Sequence, residues 1–468
     1  MRTAPTIWRR VLALFLSLVL TTVSVALAHA APLSAPSLQG LAPTEAAQST
    51  ESDSLKALAE AYVLLLERYA VPLDPAGLAK AGNDGLDAAL AQAGITPPPS
   101  LRVHGDDPVQ LFANLRYRIQ SLATQYGNTL PQSELVAAAI RGMAQYTDDA
   151  HTNYVSPEEY AEYLEWSRGA VTYGGIGARM RGPAPTVIEV FPGSPAEQVG
   201  LQPGDTIVSV DGRPVDGLRL EEVVDLVRGA AGTPVTLGVQ RASNSQVEQI
   251  TLVRAEVSVP FVQARRVGAF GLVQLRGFPE PSVVREVEQA IVRLQAEGAR
   301  GIILDLRGNS GGRVDVGSDL LARFVPDGPI YQAVDREGHR EVVNVRNARP
   351  ILTVPLVVLI DEGTASMGEV FAAAVKEHAV GHLIGTKTAG AVAASIYVPL
   401  SDGSALQLSV EQVYTGGGAL LDKVGVTPDE TVELDLDALR RGHDTQIEHA
   451  IAYLQRVAGG PVATSAAR

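Results

Sequence analysis

Two glycine-rich turns hold the residues best suited to chemistry. In Gly301-Ile302-Ile303-Leu304-Asp305-Leu306-Arg307-Gly308-Asn309-Ser310-Gly311-Gly312 a buried strand runs into a polar turn. Glycines at a strand's C-terminal end can offer backbone N–H groups to a developing oxyanion, and equally can form a tight turn and no more. In Val357-Val358-Leu359-Ile360-Asp361-Glu362-Gly363-Thr364-Ala365-Ser366-Met367-Gly368-Glu369 a second buried strand ends and Ser366 opens a helix. Its hydroxyl would stand exposed there, and the Met367 amide could share an oxyanion pocket with Gly311 or Gly312.

A third stretch suggests binding. Tyr173-Gly174-Gly175-Ile176-Gly177 sets glycines before a strand, so that backbone amides can turn inward as an anion nest. Ser194-Pro195-Ala196 opens a helix, and Gly200-Leu201-Gln202-Pro203-Gly204-Asp205-Thr206-Ile207 is a turn feeding a strand. Asp211-Gly212 supplies the positive-φ pair of a hairpin.

The elements that must position these groups change character along the chain. Apolar residues recur with helical spacing over Leu55–Tyr69, Leu111–Tyr126 and Ser133–Tyr146. The Gly- and Pro-rich stretch between the first two reads as a long irregular connection. Ser156, Pro157 and Glu159 form a helix N-terminus with the residues of a capping box. Short β-type runs with two helical pieces, Pro195–Val199 and Leu220–Val227, then fill Tyr173 to Val257. Beyond Phe261 strands alternate with helices, which predicts a sheet with helices packed on it. The fold class is therefore α+β and multidomain.

Composition narrows the function. The 468 residues contain no cysteine, which excludes a disulfide framework, a thiolate nucleophile and Cys-ligated zinc. The net charge of −14 argues against a nucleic-acid partner. His378 and His382 are the pair spaced for a metal, but two solvent-facing histidines near a helix end are the plainer reading, so neither a metal nor a cofactor is expected. Arg2, Arg9 and Arg10, the apolar run Val11–Leu27 and Ala28-His29-Ala30 describe a secretory signal peptide cleaved near Ala30. The protein is expected outside the cytoplasm, periplasmic or extracellular, or membrane-tethered if that segment is retained. No later stretch is apolar enough to span a membrane. A homo-oligomer is compatible with the sequence, which does not specify one.

The ordered motifs between Tyr173 and Val257 strongly resemble a PDZ domain. The resemblance implies that a protein C-terminus adds as a strand beside Ile176–Arg179, its carboxylate taken by the amides of Gly175, Ile176 and Gly177. The strings DLRGNSGG, DEGTASMGE, GTKTAG, PLSDGSALQLS and GVTPD, with DDAHTNYVSPEEY upstream, resemble the carboxyl-terminal-processing (tail-specific) serine peptidases of the S41 type. Composition, periodicity and these resemblances together give the expected layout: a signal peptide at 1–30, a linker at 31–54, a helical N-terminal domain at 55–168, a PDZ β-sandwich with two helices at 169–257, a β/α serine peptidase core with helices on a mixed sheet at 258–440, and a C-terminal helix and tail at 441–468. The implied activity is endopeptidase cleavage, with Ser366 as nucleophile and the amides of Met367 and Gly312 as oxyanion donors.

One position departs from the pattern. The family's general-base lysine follows a T-x-G turn, and Ala391 stands there; the residue four further on, often a glutamine that orients the lysine, is Ser395. Losing a base costs on the order of 10²–10⁴ in rate. Three replacements present themselves. Lys387 precedes Ala391 by four residues, about 13 Å along a straight strand at ~3.3 Å per residue. Glu369 follows Ser366 by one helical turn, where it could equally serve the helix N-terminus. Ser395 could join a hydrogen-bonded relay. His151 reads as a structural link between the helical region and the rest. The alternative function is a pseudopeptidase, a C-terminal-peptide-binding or scaffolding protein that keeps the fold without the chemistry.

Overall fold

Asp-Pro pairs start the helices of the N-terminal region. The Asp74 carboxylate takes the Gly77 amide at 2.7 Å ahead of helix Pro75–Gln92, and Asp107 takes the Val109 amide at 3.1 Å ahead of helix Pro108–Tyr126. Helices Pro43–Arg68 and Gln132–Gln145 complete the group. The computed structural model describes residues 43–99, 107–167, 172–182, 184–242, 246–258 and 260–458. The expected signal peptide at 1–30 lies outside the described residues.

Two expectations fail in this region. The linker expected at 31–54 gives way to helix from Pro43, because its Ala, Glu and Gln residues have high helix propensity despite lacking apolar periodicity. Helix Pro75–Gln92 occupies the stretch expected to be irregular. The glycines that suggested a loop are contact residues instead. A Cβ on Gly85 would stand 2.3 Å from the Ala138 carbonyl oxygen, and one on Gly142 would stand 2.3 Å from that of Ala81. Two helix backbones therefore meet where only hydrogen atoms fit. At the capping box, by contrast, Ser156 Oγ accepts the Glu159 amide at 3.2 Å and Glu159 Oε2 accepts the Ser156 amide at 2.8 Å, as the spacing predicts.

The helical region is not a core to itself. Leu58, Leu86, Leu115 and Ile140 pack with Leu400, Leu406 and Leu408 from much later in the chain. Strand Asn153–Val155 pairs antiparallel with Ala405–Thr415, Tyr154 opposite Leu406. The expected boundary of a separate helical domain at 168 is thus crossed by a shared sheet and a shared core.

The PDZ segment forms a sheet in the order Ala178–Arg181, Thr186–Val190, Thr206–Val210, Pro234–Gln240, Val247–Val253. Helices Pro195–Gln198 and Leu220–Val227 accompany it around Val187, Ile207, Leu237 and Val239. Asp211 and Gly212 adopt φ of 48° and 79°, the hairpin geometry their types predict.

The region from Val262 onward is built on a six-stranded sheet in the order Val262–Val267, Phe270–Leu275, Ile302–Asp305, Leu356–Ile360, His382–Gly385, Glu430–Thr431. The first pair is antiparallel and the rest are parallel, so the sheet is mixed. Helices Ser282–Ala296, Val314–Leu321 and Met367–Glu377 cover one face. Helix Thr445–Ala458 covers the other, with Ile447, Ala450 and Leu454 on Phe270, Ile303 and Val357. The C-terminal helix therefore belongs to this core, and the boundary expected at 440 does not separate it. Ile302 pairs with Leu356 in parallel register, so both glycine-rich turns leave the same edge of the sheet. A second sheet, five-stranded, contains Ala393–Pro399, Ala405–Thr415, Pro329–Asp335, Arg340–Asn344 and Asn153–Val155.

Candidate active site

Ser366 sits where strand Leu356–Ile360 has turned into helix Met367–Glu377, with φ 52° and ψ −123°. A side chain in that conformation costs about 1–3 kcal/mol, and persists only where its surroundings fix it. They do so here. The Ser366 amide donates to the Ala391 carbonyl at 2.8 Å, the Glu369 amide donates to the Ser366 carbonyl at 2.9 Å, and the Ala365 amide donates to the Asn309 carbonyl at 2.9 Å. The result is a sharp strand-to-helix turn of the kind that exposes a serine nucleophile. The side chain is half-buried, and its hydroxyl makes no hydrogen bond among the described residues.

The first glycine turn is folded against this serine by Asn309, which is fully buried. Its Nδ2 donates to the Leu275 carbonyl at 3.0 Å, and its Oδ1 accepts the Gly311 amide at 2.9 Å. Gly311 is thereby spent as a donor. It must be glycine, since a Cβ there would lie 2.7 Å from Ser366 Cβ and 2.9 Å from the Met367 nitrogen. Gly312 bridges Phe278 through its neighbours: Phe278 donates to the Gly311 carbonyl at 2.9 Å and Arg313 donates to the Phe278 carbonyl at 2.8 Å. The Gly312 and Met367 amides donate to no acceptor among the described residues. Of the two glycines it is Gly312 whose N–H group, like that of Met367, is unengaged among the described residues.

The remaining expected residues are placed as follows. Glu369 is fully buried, and its carboxylate accepts from the Thr388 hydroxyl, from the Gly390 amide at 2.8 Å and from the Ala391 amide at 2.9 Å. Burial pushes its carboxyl above the usual range, against the pull of those donors. It braces the turn that carries Ala391, and the Ser366 backbone also acts on this carboxylate, while no hydrogen bond joins it to the Ser366 hydroxyl among the described residues. Lys387 is exposed, on the opposite side of its segment from buried Thr388, which directs it to solvent and corrects the expectation of a base there. Ser395 Oγ accepts from Gln407 Nε2 at 3.2 Å within the second sheet, and that bond, not a relay to Ser366, is what it makes. His378 reaches the Pro329 carbonyl at 2.8 Å while His382 stacks on Tyr453, so the pair does not converge.

Several contributors escaped the sequence reading. Asp361 Oδ1 takes the amides of Gly308 at 2.7 Å and Gly363 at 3.0 Å, locking the two turns together. The Thr364 hydroxyl donates to the Leu306 carbonyl at 2.8 Å. Asp or Asn two residues before a glycine was the available signal, since such side chains bond their own backbone in turns. Asp305 and Arg307 pair as expected at 2.8 Å, and Asp444 and Gln446 of the C-terminal segment extend the network to Arg307. Burial opposes the Asp305 charge most strongly, yet the Arg307 guanidinium and its hydrogen bonds hold that carboxyl at about 2.

The PDZ groove is a cavity of about 260 Å³ bordered by Ile176, Gly177, Met180, Phe191, Val224 and Val227. The carbonyls of Ile176 and Gly177 accept from Ala196 and Phe191, whereas their amides donate to no acceptor among the described residues. Gly175 ends strand Thr172–Gly175, opposite Ala255. The strand beside this groove also faces the peptidase. Arg179 donates to the Arg307 carbonyl at 3.0 Å, and Arg181 pairs with Asp361 at 3.4 Å and with Glu362.

Comparison with known proteins agrees with this architecture. The family model for peptidase family S41 matches residues 269–432 and that for the PDZ domain matches residues 186–241. The carboxy-terminal processing protease CtpA of Bacillus subtilis is 33% identical over 69% of this chain and 69% of its own length. This chain belongs to peptidase family S41, among the carboxyl-terminal-processing proteins. A second family member, the carboxyl-terminal-processing protease of a Synechocystis species, is 33% identical over 66% of this chain and 73% of its own length. Among solved structures, the photosystem II D1 C-terminal processing protease aligns with a TM-score of 0.53 at 26% identity, covering 84% of this chain and 98% of that one. Family membership thus establishes a peptidase fold with a PDZ domain. Among the described residues no helix is long and apolar enough to cross a membrane.

Proposed function

We propose that this protein is an exported serine endopeptidase that grips protein C-termini in its PDZ groove and cleaves with Ser366 as nucleophile. The observation that carries the reading is the strained Ser366 turn set beside two unengaged amides, those of Met367 and Gly312. An oxyanion formed by attack at a peptide carbonyl would be met by both N–H groups without reorganisation. The arginine-led apolar segment ending at Ala30 supports export. The free Ile176 and Gly177 amides at the end of an apolar groove support capture of a C-terminal carboxylate. The test is intact mass after treatment with a fluorophosphonate: a single adduct at Ser366 is expected, lost in Ser366→Ala, and no adduct under conditions that label a lysine-containing relative defeats the reading.

One observation favours the pseudopeptidase instead. Ala391 gives the turn beside Ser366 a methyl group where the family resemblance places a lysine, and the Ser366 hydroxyl has no acceptor among the described residues. That reading predicts that tail-peptide affinity is unchanged in Ser366→Ala and that the parent protein has no turnover for the substitution to abolish.

A further inference from the structure

The PDZ sheet is held at one end from two directions. Its edge strand, Ala178–Arg181, pairs with Thr186–Val190 on one side and with no strand on the other among the described residues. At the end of that strand Arg181 reaches Asp361 at 3.4 Å and also pairs with Glu362, while Arg179 donates to the Arg307 carbonyl at 3.0 Å. Those partners belong to the two turns that carry Gly312 and Ser366. From the other direction comes the segment that follows the last strand. The Asp435 carboxylate takes the amides of Asp437 at 2.8 Å and Ala438 at 2.9 Å and so starts helix Leu436–Arg440. Arg440 Nη2 donates to Thr206 Oγ1 at 2.9 Å, where Thr206 and Thr186 face each other as cross-strand partners. The approach is close along the backbone too. A Cβ on Gly204 would stand 2.5 Å from Arg440 Cα, and one on Gly182 would stand 3.6 Å from Leu436 Cδ1.

The far end of this segment is anchored under the first catalytic turn. Asp444 Oδ1 takes the amides of Gln446 at 3.1 Å and Ile447 at 3.0 Å, and the same oxygen accepts Arg307 Nη1 at 3.1 Å. Gln446 is fully buried; it accepts Arg307 Nη1 at 2.9 Å and donates to the Val432 carbonyl at 2.7 Å. Arg307 is thus met twice, its carbonyl by the PDZ strand and its guanidinium by the C-terminal segment. The contacts close a ring that runs from Arg307 through Arg179, the PDZ sheet, Thr206 and Arg440 to Asp444 and back. Domains joined by chain connections alone move relative to one another, and a ring of side-chain contacts takes that freedom away.

We propose that segment Asp435–Gln446 is a clamp on the PDZ domain and that Arg440 is a positioning residue for cleavage. The proposal rests on the reading in which the PDZ groove takes a C-terminus and Ser366 cuts. A tail whose carboxylate meets the Ile176 and Gly177 amides adds antiparallel beside Ala178–Arg181, so its upstream residues run toward Arg181. Four residues cover about 13 Å on that path, at ~3.3 Å each. They arrive at the strand end that Asp361 and Glu362 hold on one side and Leu436 and Arg440 on the other. Fixing this end sets the direction in which the tail leaves the groove. It also sets how many residues separate the captured terminus from the bond offered to Ser366. Arg440 acts on this path through Thr206 and Gly204, by holding the strands that carry them.

The test uses the absence of cysteine from the chain. Val253→Cys on the PDZ sheet and Val292→Cys on helix Ser282–Ala296 are exposed sites for a pair of spin labels, whose distance distribution reports how the two parts are held. It is measured in the full chain, in Arg440→Ala, in Thr206→Val and in the double variant. The parent is expected to give one narrow peak and each variant a peak at least about twofold broader, with no further broadening in the double variant because both changes break one contact. The kcat for β-casein is expected to fall about 10–10²-fold with scattered cut sites, while KM and the rate of fluorophosphonate labelling at Ser366 stay at parent values. An unchanged distribution in both single variants overturns the clamp. A broadened distribution with parent turnover and parent cut sites overturns the positioning role, and so does a loss of labelling alongside turnover, which would place the effect in the Ser366 turn itself. A parent protein that neither labels nor cleaves defeats the serine reading, and the distance measurement still decides the clamp.

Discussion

The two sides of Ser366 are made of different material. On the side proposed to meet an oxyanion everything is main chain: the Gly312 and Met367 amides are unengaged among the described residues, and buried Asn309 and Asp361 hold the turns that carry them. On the base side the turn is braced with equal care by Glu369, yet it ends in the Ala391 methyl. A main-chain donor survives any substitution that preserves its turn, whereas a base resides in one side chain and one substitution can abolish or relocate it. The contrast says that the durable half of such a site is its backbone, and that the acid–base half is the replaceable one.

That contrast can be broken in order of expected size. Gly312→Ala attacks the main-chain side: with φ 133° and a Cβ placed 2.6 Å from the Phe278 carbonyl oxygen, the turn must move. Turnover of β-casein is expected to fall by about 10²–10³-fold, and an unchanged kcat would remove Gly312 from the oxyanion pocket. Glu369→Gln attacks the brace opposite, because an amide cannot accept from Thr388, Gly390 and Ala391 together without setting an NH₂ against one of them. About 2–3 kcal/mol of stability should go, read from the urea midpoint, and an unmoved midpoint would show the brace to be idle. The smallest effect lies beneath the first turn. Asp305 is held at about 2 by Arg307 against about 3.9 when unfolded. A depressed carboxyl stabilises the fold fully above its unfolded value and loses that contribution as pH falls from about 4 toward 2, roughly 2 kcal/mol in all. Asp305→Asn should flatten that part of the stability profile; an unaltered acid slope would locate the sensitivity elsewhere.

What the sequence made legible follows the same division. Ser366, the two glycine turns, the PDZ hairpin at Asp211-Gly212 and the capping box at Ser156 are local patterns, each decided by residues within a few positions of one another. Helix Pro75–Gln92 was missed because Gly77, Gly82 and Gly85 are there for contact with another helix, a reason invisible along the chain. The parts of Glu369 and Asp361 were likewise unreadable, since their partners lie on turns far away in sequence.

The leucines that close the N-terminal helical core raise a question of timing. The hydrogen bond from Ser409 to Thr152 spans 257 residues of chain. At about 5–20 residues per second, the ribosome delivers that strand roughly 10–50 s after the helices it completes. Throughout that interval the newborn helices present an unfinished greasy flank, one that a chaperone could hold.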